Sequence, residues 1–158
     1  MRGRGFSLVE LIVIMAIIGI LLAVGTLDFS RWSRKSALES QVKIMYADLM
    51  TAKLDAFHKK ANHTVTLEAN RYTITRADTG ATVLQKNLAY PISWSDSGVT
   101  TITFDTRGLA STLATTKTIC VSTGENVSVD CIIVSPVKID MGKINPGGSC
   151  TSADCQIK

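Results

Sequence analysis

The sequence predicts an α+β fold: a long N-terminal α-helix, transmembrane at first and amphipathic after, followed by a mostly antiparallel β domain. Three observations predict it. An unbroken apolar run from Phe6 to Leu27 passes into a stretch free of proline and glycine, from Phe29 to about Lys60. Beyond Asn62 the apolar period changes from that of a helix to that of a strand. All four cysteines lie in the last quarter, outside the helical region. At 158 residues the chain can bury one modest core but not two full ones.

Met1 to Gly5 is basic and glycine-rich, and the following FSLVELIVIMAIIGILLAVGTL carries one charge, Glu10. Twenty-two residues of helix rise about 33 Å, which matches the roughly 30 Å hydrocarbon core of a bilayer. Three readings compete. A signal peptide would be cut at the small-x-small run Ala23-Val24-Gly25, and a plain anchor would simply stay. Neither explains Glu10, because an acid at mid-helix costs about 2.5 to 3.5 kcal/mol on insertion scales. Cleavage after Gly5 supplies a reason for it. The new α-amine of Phe6 would stand one helical turn from Glu10, on the same chain or on a neighbour, so pairing in an assembly would favour one axial register.

The next segment repeats Leu38, Val42, Met45, Leu49, Ala52 and Ala56 at alternating steps of four and three, which is one face of a helix. Lys43, Asp48, Lys53 and Asp55 fall elsewhere, so this part is expected to lie half-buried. The organisation that follows is a leader over 1–5, a membrane or filament-core helix over 6–27, its amphipathic continuation over 28–61 and a β-rich domain over 62–158.

Within that domain Thr64–Glu68, Arg71–Arg76, Ala81–Lys86 and Val99–Phe104 are β-branched or alternating, with Asn70, Asp78-Thr79-Gly80, Asp96-Ser97-Gly98 and Asp105-Thr106-Arg107-Gly108 as turns. Thr118–Ser122 and Val127–Ser135 form a candidate hairpin around Gly124-Glu125-Asn126. With Glu125-Asn126 as a two-residue turn, Cys120 and Cys131 lie directly opposite within disulfide reach, and Cys150 and Cys155 would then close a small loop; the sequence leaves the connectivity open. An even cysteine count suits an oxidising compartment. A four-cysteine zinc site lacks the usual ligand spacing, and no metal or other cofactor is expected. Asp154 alone is far short of a calcium site.

The net charge of +4 does not by itself specify a nucleic-acid partner. Arg2 and Arg4 precede the apolar run, and Arg31, Arg34 and Lys35 follow it, where cations meet lipid headgroups. His58 and His63 flank the expected helix end and suggest no catalytic pairing with a serine. The glycines form no phosphate-cradling loop. An enzyme is not expected.

The string GFSLVELIVIMAIIGILLAV closely resembles the class III leader and first helix of type IV pilins and type II secretion pseudopilins. The resemblance implies cleavage after Gly5 by a prepilin peptidase, N-methylation of Phe6 and a filament-assembly role for Glu10. ITFDTRGLAS, then TICVS, then IIVSPVKIDMGKI, resembles the C-terminal part of the GspH/FimT group of minor pilins and pseudopilins. It implies a structural subunit that primes or caps a type IV pilus or a type II secretion pseudopilus. The implied partners are the prepilin peptidase, other pilin or pseudopilin subunits, an inner-membrane assembly platform and the lipid bilayer. The implied location is the bacterial inner membrane, crossed once, with the C-terminal domain in the periplasm, and afterwards the filament. Some members of that group resemble DNA receptors with a Gly-Arg-x-Arg motif. Gly142-Lys143-Ile144-Asn145 matches it with one cation changed and one missing, so DNA is the alternative partner and Lys138 and Lys143 its candidate contacts.

Overall fold

The computed structural model describes residues 7–96, 98–113, 116–121 and 126–158, with the backbone alone described for 23–28. One helix, α1 (Leu8–Lys59), is followed by nine strands. The chain divides into two compact units, Met1–Ser36 and Ala37–Lys158.

In the first unit the helix turns without a packing face. Leu8 to Leu22 present twelve large apolar side chains, each between 44 and 75% exposed. Among the described residues no helix is long and apolar enough to cross a membrane. The described side chains of the apolar run stop at Leu22, and those of residues 23–28 lie outside them.

In the second unit the same helix has a face. Leu38, Val42, Met45, Leu49, Ala52 and Ala56 are all buried, in the steps of four and three that put successive side chains above one another. Lys60, with φ of 51°, stops the helix in the left-handed conformation that ends many helices. Ala61 then turns inward, and β1 begins.

Two antiparallel sheets cover the buried face. The first has the order β3 (Thr82–Asn87), β2 (Arg71–Arg76), β1 (His63–Glu68), β5 (Thr101–Phe104). A two-residue turn joins β1 to β2, in the register Glu68↔Arg71 to His63↔Arg76. Alternation is clean: Val65, Leu67, Tyr72, Ile74, Ile102 and Phe104 point into the core, and the threonines between them point away. The second sheet has the order β4 (Ile92–Trp94), β6 (Lys117–Val121), β7 (Cys131–Val134), β8 (Ile139–Ile144), β9 (Cys155–Ile157). Here β6 and β7 are buried at every position, so both faces of this sheet are covered. One face joins the main core through Ile119, Val121, Ile132, Val134 and Ile139. The other forms a small second cluster of Cys120, Cys131, Ile133 and Cys155, with Ile144 and Cys150 against it.

The α+β expectation and the antiparallel pairing both hold. The expected strand over 127–135 is cut to four residues. Val127 and Val129 are buried but outside it. The turn expected at Gly124-Glu125-Asn126 falls mostly on residues 122–125, outside the described ones. β4, β8 and β9 lie outside the strands the sequence predicts; β4 and β9 are three residues long each, and β8 is six.

Candidate functional site

The residues of interest fall into an N-terminal group and a group in the second unit. Gly5 and Phe6 lie outside the described residues. Glu10 stands in the first turn of α1, where the unsatisfied N–H groups and the positive end of the helix dipole favour an acid. It is exposed, and among the described residues it has no ion-pair partner. The exposed apolar side chains from Leu8 onward surround it.

The cysteines are paired, but not as the hairpin suggests. Cys120 and Cys131 are cross-strand neighbours, as expected, yet Cys120 bonds Cys150 and Cys131 bonds Cys155. The expected Cys120–Cys131 and Cys150–Cys155 bridges are therefore corrected. The reason lies in β8. Gly142 sits opposite Cys131 on one side and Ile157 on the other, so β8 separates the strands that carry Cys131 and Cys155. Two strand spacings would put those strands about 9.5 Å apart, too far for a disulfide, but the Cα atoms of Cys131 and Cys155 are 6.2 Å apart. The two outer strands therefore approach each other across β8, beside Gly142. A Cβ at that position would lie 2.8 Å from Cys155 Sγ and well inside van der Waals contact distance of the Gln156 carbonyl oxygen. The missing side chain is the space through which the bridge passes.

The loop between these half-cystines is ordered by one carboxylate. Asp154 accepts from the Ser149 amide at 3.0 Å, the Ser149 hydroxyl at 2.9 Å and the Thr151 hydroxyl at 3.0 Å. The Ser149 amide bond, with those two hydroxyls, holds the Asp154 pKa below the usual carboxylate value. These donors are the opposite of what a metal needs from the same oxygen. Among the described residues no group of histidines, cysteines and acids could hold a metal ion.

Three polar devices that sequence reasoning missed tie the second unit together, two of them from α1. Asp48 accepts from the Tyr72 hydroxyl at 2.5 Å and from Lys86 Nζ at 2.6 Å. Burial, then the bond to Asp48, pushes the Tyr72 hydroxyl far above its ordinary pKa, so it stays a donor at any relevant pH. Gln41 forms a double clamp on the main chain of Tyr90, donating to its carbonyl at 2.7 Å and accepting from its amide at 3.0 Å. Lys117, buried in β6, donates to the carbonyls of Val99 and Asp96 and so ties down the crossing from the second sheet to the first. Burial lowers its pKa. No local pattern marks these contacts, because their partners are 18 to 49 residues apart.

Lys138 and Lys143 are not brought together. Lys138 immediately precedes β8 and Lys143 is its last residue but one, five positions on. Lys138 pairs with Asp140 at 2.8 Å, and Lys143 donates to Asn126 Oδ1 at 2.5 Å. His58 lies in the last helical turn, as expected. His63 is instead buried at the start of β1 with Nδ1 2.9 Å from the Ala61 carbonyl oxygen. Asp105 organises its turn by accepting from the Leu109 and Arg107 amides and from the Arg107 guanidinium, and Gly108 has φ of 75°.

Comparison with known proteins adds two findings. Residues 1–26 match the prokaryotic N-terminal methylation motif, a span that holds Gly5, Phe6 and Glu10. Two crystal structures of the type IV minor pilin FimU from Pseudomonas aeruginosa have a similar fold. One aligns with a TM-score of 0.58 at 14% identity, covering 77% of this chain and 97% of FimU. The other aligns with a TM-score of 0.55 at 15% identity, covering 73% and 98%. The chain is pilin-like, in motif and in fold. No curated protein matches its sequence. In this pilin-like chain the long helix and the antiparallel sheets behind it stand in the order the sequence predicts.

Proposed function

We propose that the chain is a non-enzymatic, membrane-anchored pilin-like subunit that is processed between Gly5 and Phe6 and then built into an extracytoplasmic filament. The observation that carries this is the environment of Leu8–Leu22: twelve large apolar side chains that nothing in their own unit covers. Burying such a side chain is worth about 1.5 to 3 kcal/mol, so water is untenable surroundings for the set. Lipid satisfies it before assembly, and neighbouring helices satisfy it afterwards. Glu10 fits only the second state well, where the amine of a processed Phe6 on a neighbour can neutralise it. The partners of this reading are a prepilin peptidase, further pilin or pseudopilin subunits, an inner-membrane assembly platform and the bilayer. Its location is the inner membrane, crossed once, with the second unit in the periplasm and later in the filament. The similarity to FimU supports a minor subunit that primes or caps a type IV pilus, with a type II secretion pseudopilus as the other filament of this kind.

The test is the mass and N-terminal sequence of the mature protein recovered from its host, together with the Glu10→Gln variant. Maturation to an N-methylated Phe6 is expected, and Glu10→Gln should be processed normally but depleted from filaments. A chain that starts at Thr26 or keeps Met1 overturns the processing, and wild-type incorporation of Glu10→Gln overturns the register role of the acid.

A further inference from the structure

The C-terminal end of α1 meets two turns distant in sequence. Lys53 Nζ donates to the carbonyl of Val137, in the turn closed by Ser135 and Lys138. Lys60 Nζ donates to the carbonyl of Thr106 at 3.3 Å and stands 4.2 Å from the centre of the Phe57 ring. The Cβ position of Gly108 lies 3.6 Å from Phe57 Cβ and 3.5 Å from the Lys53 carbonyl oxygen. The Ala110 amide donates to the Pro136 carbonyl and joins the two turns to each other. Around this junction Leu54, Phe57 and Val137 are exposed, Val137 to 68%.

The charge at the junction is positive toward solvent. Arg107 is 75% exposed while its partner Asp105 is only 14% exposed, and Lys138 is 63% exposed against 22% for Asp140. In each pair the acid is turned into the fold, where Asp105 is occupied by backbone amides, and the cation is turned out. Lys53 and Lys60 donate to neutral carbonyls, contacts that cancel none of their charge. Three exposed apolar side chains ringed by outward cations have the composition of an interface, with an apolar centre and a polar rim.

We propose that this surface, built from the last two turns of α1 and the turns at 105–109 and 135–138, docks a protein partner that sets carboxylates around an apolar side chain. Charge complementarity selects the acid. The aliphatic side chains select protein over nucleic acid. A polyphosphate makes no use of Leu54 or Val137, the exposed aromatic is already occupied by Lys60, and residues 37–158 hold 12 Lys and Arg against 11 Asp and Glu, too small an excess for a polyanion-binding domain.

A photo-crosslinking residue placed at Val137 of the full chain, in its native host, tests the assignment, with the same residue at the exposed Val83 of β3 as control. Crosslinks from position 137 should exceed those from position 83 at least fivefold. The partner peptide should carry clustered Asp or Glu. Arg107→Ala with Lys138→Ala should abolish the excess, and Arg107→Lys with Lys138→Arg should keep it. Equal yields at the two positions, a yield indifferent to neutralisation, a partner peptide without acids, or an adduct digested by nuclease would each overturn the proposal. None of these outcomes depends on where the N-terminus is cut.

Discussion

Residues 8–22 and 38–56 are turns of one helix, and they make opposite demands. The first stretch is apolar on every side, and all its large apolar side chains are exposed. The second is apolar only on the stripe Leu38, Val42, Met45, Leu49, Ala52, Ala56, and the whole stripe is buried. Each stretch has a carboxylate to match. Asp48 is met by Tyr72 and Lys86, whereas Glu10 has no ion-pair partner among the described residues. A periodic apolar pattern states a need that the chain meets by folding on itself. A uniform one states a need that only another molecule can meet.

Core truncation should break the two stretches apart most clearly. Leu49→Ala should destabilise the second unit by about 2 to 5 kcal/mol, since it deletes a fully buried side chain and leaves a cavity. Ile14→Ala removes as much surface from the other stretch and should leave the unfolding midpoint unchanged. Thermal unfolding of the full chain in detergent, followed by circular dichroism, separates the two variants. Equal losses would mean that residues 8–22 also pack on something within the chain, and the contrast would collapse.

The C-terminal segment sharpens the comparison with a third solution, because its cover over the outer face of the second sheet is covalent. Cys155→Ser opens a link with a sequence separation of 24, and the chain-entropy estimate for a loop of that size is about 3.5 kcal/mol. Gly142→Ala should act on the same bridge from the opposite strand, by filling the space it crosses. Both variants should raise susceptibility of residues 145–158 to proteolysis in denaturant titrations before α1 and the first sheet melt. If the whole unit instead lost structure in one step with an unchanged midpoint, the bridge would have no separate contribution.

What could be seen in the sequence follows the same division. The helix, its buried stripe and the first sheet were legible because each rests on a local period of 3.6 or 2 within one segment. The N-terminal motif was legible because its residues are adjacent. The bridges were not. Cys120 and Cys131 do face each other, and the space at Gly142, a property of three strands together, admits the Cys131–Cys155 bridge that takes Cys131 elsewhere. Gly142 was visible as part of a Gly-Lys step, but the space it leaves was not. β4 was hidden by its length, with Ile92 the one fully buried residue in three. Gln41, Lys117 and the Asp48 network bond across gaps that no pattern of neighbouring residues encodes.

The smallest effect expected concerns the carboxylates. Asp154 has three donors, and its folded pKa lies below the ordinary value, first through the Ser149 amide. A depressed acid stabilises the fold above its unfolded pKa of about 3.9 and loses that contribution as pH falls through the lower, folded value. The 149–154 loop should therefore hold through the ordinary range of carboxylate titration and loosen only below it. The amide signal of Ser149, followed by NMR through acidification, reads this directly. A transition at or above the ordinary carboxylate pKa would mean that the donors do not hold the charged form. Asp154→Asn should remove the transition, because the amide does not ionise, while Glu10→Gln should leave it untouched. Asp154 is held ionised by donors of its own fold and reports on that fold, whereas Glu10 reports only on a neighbour.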